Sequence, residues 1–454
     1  MSLDLIVTGK LATHDKVYDN ISIGIKDGKV VARGEKSSLP EAKEYIDAGS
    51  NIILPGIVDA HVHSLGDADE GHENSTRAAA AGGVTTINDH PLDIGGAPSS
   101  TADIQAKDRK MQGECYVDYS LFAEARPDKL DDIKEVADAG ITGYKTLMQS
   151  TSGASLYEVR ANTDAEMYII ANLIAECGQR AYIHAESETI IAYLIDKYEK
   201  EGKVYPLAHC ETRPECTETL SVAMLIEIAR DTGCNMHFVH LSLPRSFELV
   251  KRAKADGIPV TAETCTHYLI CNESRWEQIG SDFRINPALR SEEARLALWK
   301  QLADGDIDLV GSDHAPHPPK RCENIFDAFS GAPGIEATLP LLYSEGVNAG
   351  RITVNDLVRV TSYNPARLLG LYPTKGHLDI GADADFVLFD PNKKWTMTAS
   401  EVVAQSGWTL YEGMDVTGKL VSTHVRGTKV FENGKPCVPK GFGRFIKAKK
   451  GGTL

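Results

Sequence analysis

Nothing in this chain of 454 residues has the spacing of a disulfide framework: its nine cysteines include no Cys-x-x-Cys pair, and their number is odd. A reducing cytoplasm is therefore the expected compartment. A basic surplus is missing too. The formal net charge of −16 argues against a general binder of nucleic acid or of anionic membrane. No basic segment followed by an apolar one stands at the N-terminus, so no signal peptide is expected, and no apolar run reaches the roughly 18 residues of a membrane helix. Tandem repeats and low-complexity tracts are lacking as well. What remains is ordinary globular composition, 42% hydrophobic and 25% charged. The length suits more than one domain, or one barrel with an attachment.

The pattern divides the chain into three. Residues 1–55 carry short β-like runs, among them Ile21-Ser22-Ile23-Gly24-Ile25, followed by Asp27-Gly28, a strong hairpin signal. Residues 376–454 look similar, with Ala384-Asp385-Phe386-Val387-Leu388-Phe389 and Lys429-Val430-Phe431-Glu432-Asn433-Gly434. The two ends are expected to pair into one small, β-sandwich-like domain. Residues 56–375 alternate strand-like segments (83–89, 117–123, 143–148, 181–184, 236–240, 259–263 and 309–313) with helix-like ones such as 165–177 and 219–232. With a first strand at 53–63, this predicts an α/β fold built on a (β/α)8 TIM-type barrel.

That first strand carries the most informative motif. It runs through Asn51-Ile52-Ile53-Leu54-Pro55-Gly56-Ile57-Val58 into Asp59-Ala60-His61-Val62-His63. Strand alternation puts His61 and His63 on one face. Two neutral imidazoles converging at a strand end suit a zinc-type metal, though two satisfied polar residues would look the same. A barrel of this type gathers its chemistry at the C-terminal ends of its strands. There the sequence offers His61, His63, Lys145, His184, His240 and Asp313. Each singly has a structural explanation: core histidines, a surface lysine, a helix cap. All together, in barrel order, they point to one site. An ammonium cannot coordinate metal, but Lys145 carboxylated by carbon dioxide would be a carbamate able to bridge two ions about 3.5–4 Å apart.

The set resembles the amidohydrolase superfamily, specifically its cyclic amidohydrolase branch of dihydroorotases, hydantoinases and allantoinases. The matching segments include Thr76 to Thr86, Gly143-Tyr144-Lys145, Gly311-Ser312-Asp313-His314-Ala315-Pro316 and Asp383-Ala384-Asp385. The resemblance implies that His61, His63 and Asp313 hold one metal and His184 and His240 the other, with carboxylated Lys145 between them. It implies two divalent ions, zinc most often, with manganese and cobalt as alternatives. It also implies a small cyclic amide as substrate and a homotetramer or dimer. In such a centre a metal-bridging hydroxide attacks the ring carbonyl, and Asp313 takes and returns the proton.

Departures from the branch patterns narrow the substrate. Dihydroorotases usually carry an arginine where this chain has Leu65, although Arg77 or Arg290 could stand in. Dihydropyrimidinase-type hydantoinases carry a tyrosine where this chain has Ser150, a small hydroxyl as in allantoinases. His90-Pro91-Leu92-Asp93 looks like an altered Met-Pro-Leu-Asn of allantoinases, whereas Gly71-His72-Glu73-Asn74 replaces their Trp-Glu-Gly. An allantoinase- or hydantoinase-like ring hydrolase is expected, with dihydroorotase or another cyclic imide hydrolase as the alternative. Ser150, Asn286 and His317 are candidate substrate contacts. His267 is a weaker one, and His72, His209 and His237 are read as structural, His237 because strand alternation turns it to the side opposite His240. Some relatives have lost their ligands and serve as oligomeric scaffolds, but this ligand set has no gap.

Overall fold

The computed structural model describes residues 2–64, 70–91, 97–148, 163–319 and 321–454. Both chain ends build one eight-stranded sheet. Its strands are β1 (Leu3–Ala12), β2 (Val17–Lys26), β3 (Lys29–Gly34) and β4 (Ala42–Pro55) from the start of the chain. The end supplies β14 (Phe386–Met397), β15 (Met414–Val425), β16 (Thr428–Glu432) and β17 (Lys435–Pro436). The order is β17-β16-β15-β14-β4-β1-β2-β3, and the two ends meet where β14 runs antiparallel to β4, with Leu388 opposite Ile53. Asp27 and Gly28 both take positive φ, 50° and 77°, the signature of the tight hairpin that Asp-Gly favours. Leu5, Val7, Ile23, Ile25, Phe386 and Leu388 form a common buried cluster, so neither end can bury its apolar face without the other.

Between them lie the barrel strands. These are β5 (Ile57–Val62), β6 (Val84–Asp89), β7 (Asp118–Leu121), β8 (Ala123–Glu124), β9 (Tyr144–Leu147), β10 (Arg180–His184), β11 (Asn235–Phe238), β12 (Val260–Cys265) and β13 (Leu309–Gly311). All pairings among them are parallel. Phe122 interrupts one barrel position between β7 and β8, so the nine strands make eight positions. The ring closes where Val62 bridges His314 and the His63 N–H donates to the His314 carbonyl at 2.8 Å. No helix among the described residues is long and apolar enough to cross a membrane, and all nine cysteines are free thiols.

Three expected elements end elsewhere than the pattern indicated. The 53–63 run is two strands in two sheets, with Gly56 at the joint; a Cβ there would sit 2.2 Å from Thr85 Oγ1. β11 stops at Phe238 and β13 at Gly311, two residues short of His240 and Asp313. Those two residues take left-handed backbone, φ 43° and 46°. Non-glycine residues pay for that conformation, and it recurs where a side chain is aimed for function. Helices 164–176 and 216–232 stand where helical stretches were expected, the first opened by a capping box between Thr163 and Glu166.

The sheet and barrel are pinned together at the N-terminal face of the barrel, away from the strand ends that carry the histidines. Lys375 is fully buried and donates to Asp118 at 2.5 Å and to Asp385 at 2.7 Å, with Asp383 at 2.9 Å. Arg426 pairs with Asp118 as well. Burial pushes the Lys375 ammonium down, but the three carboxylates outweigh it and hold it above its ordinary range. Further along the chain, the Arg444 carbonyl and the Ile446 N–H bond Tyr119, so the C-terminal tail runs beside β7.

Candidate metal centre

His61 is the last inward-facing residue of β5, and His63 follows one residue past its end. Their Nε2 atoms lie 3.1 Å apart, and Asp313 Oδ1 is 3.1 Å from the first and 3.2 Å from the second. Ligands spread tetrahedrally on bonds of 2.0–2.1 Å stand about 3.3 Å from one another, so this triangle matches zinc coordination. The donor chemistry fits as well. Burial holds the His63 imidazole down at about 4, hence neutral, whereas His61 and His63 outweigh burial to keep the Asp313 carboxyl well below its usual range.

Buried carboxylates orient these donors. Glu263, on β12, accepts from His61 Nδ1 at 2.5 Å and from His237 Nε2 at 3.3 Å, and its Oε1 also receives the His240 N–H at 3.3 Å. Burial pushes its carboxyl up, but His61 and His237 outweigh that and hold it at about 2. With Nδ1 of His61 committed to this bond, the lone pair stays on Nε2, the arrangement common for metal-binding histidines. Asp59 Oδ1 receives the N–H groups of His61 and Ser312, each at 3.2 Å, tying β5 to the turn that carries Asp313. His314, the next residue, is held at both nitrogens, by Glu70 at 2.7 Å and by the Gly334 N–H at 3.2 Å.

The other two histidines come from neighbouring strands, His184 at the end of β10 and His240 just past β11. The rings of His184 and His240 stand edge-on with centroids 4.4 Å apart, and His240 lies 5.2 Å from His61. His184 Nε2 is held by Glu186 at 2.8 Å, which leaves Nδ1 to serve as a donor. Lys145, on β9, is buried and has no carboxylate partner among the described residues. Its charge bears on His63, His90, His184 and His240, which places it among them. Burial lowers its ammonium to about 8, only partly countered by Asp313 and Glu263, so a share is free amine near neutral pH.

The structure thus brings His61, His63, Lys145, His184, His240 and Asp313 together at one end of the barrel. The substrate candidates fare differently. Ser150 lies outside the described residues, as does Leu65. His317 spends Nε2 on the Ser330 carbonyl at 2.9 Å and stacks on Phe329. Asn286 is half-buried, its Oδ1 without a hydrogen-bond partner among the described residues. His267 is closer to the chemistry than expected: it groups with Cys265 and Asp313, and its buried Nε2 has no partner among the described residues.

Sequence reasoning overlooked Glu263, Glu186 and Asp59, and placed His237 on the face opposite His240. His237 instead reaches Glu263, because strand alternation ends at Phe238 and the left-handed His240 re-aims the side chain that follows. His90 was overlooked as well, although it too stands just past a strand end, that of β6.

The fold and donor set define a metal-dependent hydrolase class, and comparison with known proteins gives the family. Residues 52–430 match the Amidohydrolase family, to which this chain belongs. It is 35% identical over 454 residues to the L-hydantoinase of Paenarthrobacter aurescens, covering 98% of each chain. It is 31% identical to the allantoinase of Bacillus licheniformis, covering 98% of this chain and 100% of that one. The solved L-hydantoinase (dihydropyrimidinase) from Arthrobacter aurescens superimposes with a TM-score of 0.94 at 34% identity, over 98% of this chain and 100% of that one.

Proposed function

We propose that this chain is a metal-dependent hydrolase that opens a cyclic amide of the ureide type, such as allantoin or a hydantoin. The observation that carries the reading is the triangle of His61, His63 and Asp313, three lone-pair atoms within 3.2 Å of one another in a buried setting. A proton on His63 Nε2 could serve Asp313, but with His61 Nδ1 given to Glu263 the 3.1 Å contact between His61 Nε2 and Asp313 Oδ1 sets lone pair against lone pair unless a cation lies between them. The donors fit two divalent ions, zinc foremost with manganese or cobalt as substitutes. His61, His63 and Asp313 would hold one and His184 and His240 the other, with Lys145 as its carbamate serving both. When bound, the ions supply an activated water and polarise the ring carbonyl.

The residues of the chain do the rest. Asp313 would give Oδ1 to the ion and use its other carboxylate oxygen to take a proton as attack begins and pass it to the ring nitrogen as the C–N bond breaks. Glu263 keeps the His61 tautomer fixed while that happens. Asp59 and His314 hold the Asp313 turn from both sides. A carbamate on Lys145 would be anionic, which removes the conflict between a buried ammonium and neighbouring cations.

Dihydroorotate ranks lower. Its carboxylate calls for a free guanidinium fork, and both stand-ins are partly tied: Arg77 donates to the Val403 carbonyl at 3.3 Å, with Nε left over. Arg290 donates to Ser242 Oγ and to the Arg213 carbonyl, at 2.9 and 2.5 Å, and lies 3.8 Å from Glu218. The test is a turnover screen of allantoin, substituted hydantoins, dihydropyrimidines and dihydroorotate, with zinc, manganese or cobalt and bicarbonate present. Ring opening of allantoin or a hydantoin that stops on chelation is expected. Turnover of dihydroorotate alone would overturn the ranking.

A further inference from the structure

One imidazole at the barrel mouth has no role in the donor set. His90 stands just past β6, its backbone fixed by donation to the Val62 carbonyl at 2.8 Å. Its ring lies parallel to that of His61, with centroids 3.9 Å apart and planes within 4°. It is tilted against His63 at 4.8 Å, and Phe122 closes its far side edge-on at 4.5 Å. The side chain is 2% exposed, and neither ring nitrogen has a hydrogen-bond partner among the described residues.

That state is costly unless something is missing from view. A neutral imidazole carries one N–H and one lone pair, and burying it unmet forfeits the hydrogen bonds it made to water. A phenyl ring or a methionine would fill the same space without that penalty. One His90 ring nitrogen also lies within 4.8 Å of ring nitrogens of both His61 and His63, so it looks toward the place they look.

The stacking decides what it meets there. The Nε2 lone pair of His61 lies in the plane of its own ring, and the His90 plane runs parallel to that and to one side. An ion taken up by His61 would therefore be reached by the edge of His90 only through a further group bound beside it.

We propose that His90 is a positioning residue of the metal centre, hydrogen-bonding the oxygen-donor group that completes the coordination of the ion held by His61, His63 and Asp313. The proposal rests on the two-ion reading of this site. It gives the chain a polar contact that strand-end motifs alone do not assign, and one that would orient a water or a ring carbonyl from the β6 side.

The experiment uses cobalt-loaded protein, with chelator competition, the visible absorption spectrum and X-ray absorption as readouts. His90→Met keeps the volume and removes both polar atoms; His90→Gln keeps an N–H donor. His90→Met is expected to release cobalt about 10–100-fold more readily, to shift the spectrum and to leave the number of imidazole ligands unchanged. His90→Gln should recover most of the loss. Unchanged retention and spectrum in His90→Met would reduce His90 to a space-filling ring, and loss of one imidazole ligand would make it a direct ligand. Either result overturns the proposal. Wild-type protein that takes up no cobalt would overturn the two-ion reading itself.

Discussion

Replacing Asp313 by Asn lowers kcat on the order of 10³-fold while the protein stays folded and still binds metal. The expected size is that of a lost general acid–base group. Asn is nearly the same shape and keeps one oxygen toward His61 and His63, where Asp313 Oδ1 now lies at 3.1 and 3.2 Å. It cannot accept the proton of the attacking water or return it to the leaving nitrogen. The two imidazoles beside Asp313 outweigh desolvation and hold its carboxyl below the usual carboxylate range. The loss should therefore fall on kcat more than on KM. Measuring turnover and metal content on the same preparation separates proton transfer from ligation. Turnover that survives with metal retained would remove Asp313 from the proton pathway.

Lys375→Met is expected to destabilise the protein by about 3–5 kcal/mol, the usual cost of removing one partner from a buried charge cluster. Met matches the stem of the lysine but leaves Asp118, Asp383 and Asp385 facing one another without their shared cation. The Arg426 guanidinium still meets Asp118, its backbone N–H meets Asp385 at 2.8 Å and the half-exposed Lys29 pairs with Asp383 at 2.6 Å, so the loss should fall toward the lower end of that range. Because Asp118 opens β7 and the histidines sit at the other ends of the strands, the defect should appear in the unfolding midpoint and not in the metal content of the protein that remains folded. Urea unfolding followed by circular dichroism reads it. An unchanged midpoint would mean that the apolar seam between barrel and sheet holds the two parts without this cluster.

These predictions differ in how far the sequence foretold them. Five of the six donor residues were readable because they follow apolar, strand-like runs that a barrel places on one rim, and Lys145 from the Gly143-Tyr144-Lys145 segment. The chain-end sheet was readable from Asp27-Gly28 and from matching short runs at both ends. Partners brought together only by the fold were not readable. Glu263 lies 202 residues from His61, and Lys375 lies 257 from Asp118, with no local pattern linking either pair. A carboxylate inside an otherwise buried strand was the available signal for Glu263. His90 was also within reach, since the rule that found His184 and His240 applies equally to the end of β6. Strand alternation misjudged His237 because it assumes regular backbone through His240, where the chain turns left-handed. The residues that would separate one ring substrate from another, Leu65 and Ser150, lie outside the described residues.

A two-ion centre dependent on Lys145 has a definite stoichiometry. The metal-to-protein ratio of purified protein, prepared with zinc and bicarbonate and set beside Lys145→Ala, tests it most directly. The account predicts about two ions per wild-type chain, fewer in the variant, and activity that falls with them. A folded wild-type chain that holds no metal, or that opens its substrate undiminished after chelation, would contradict it.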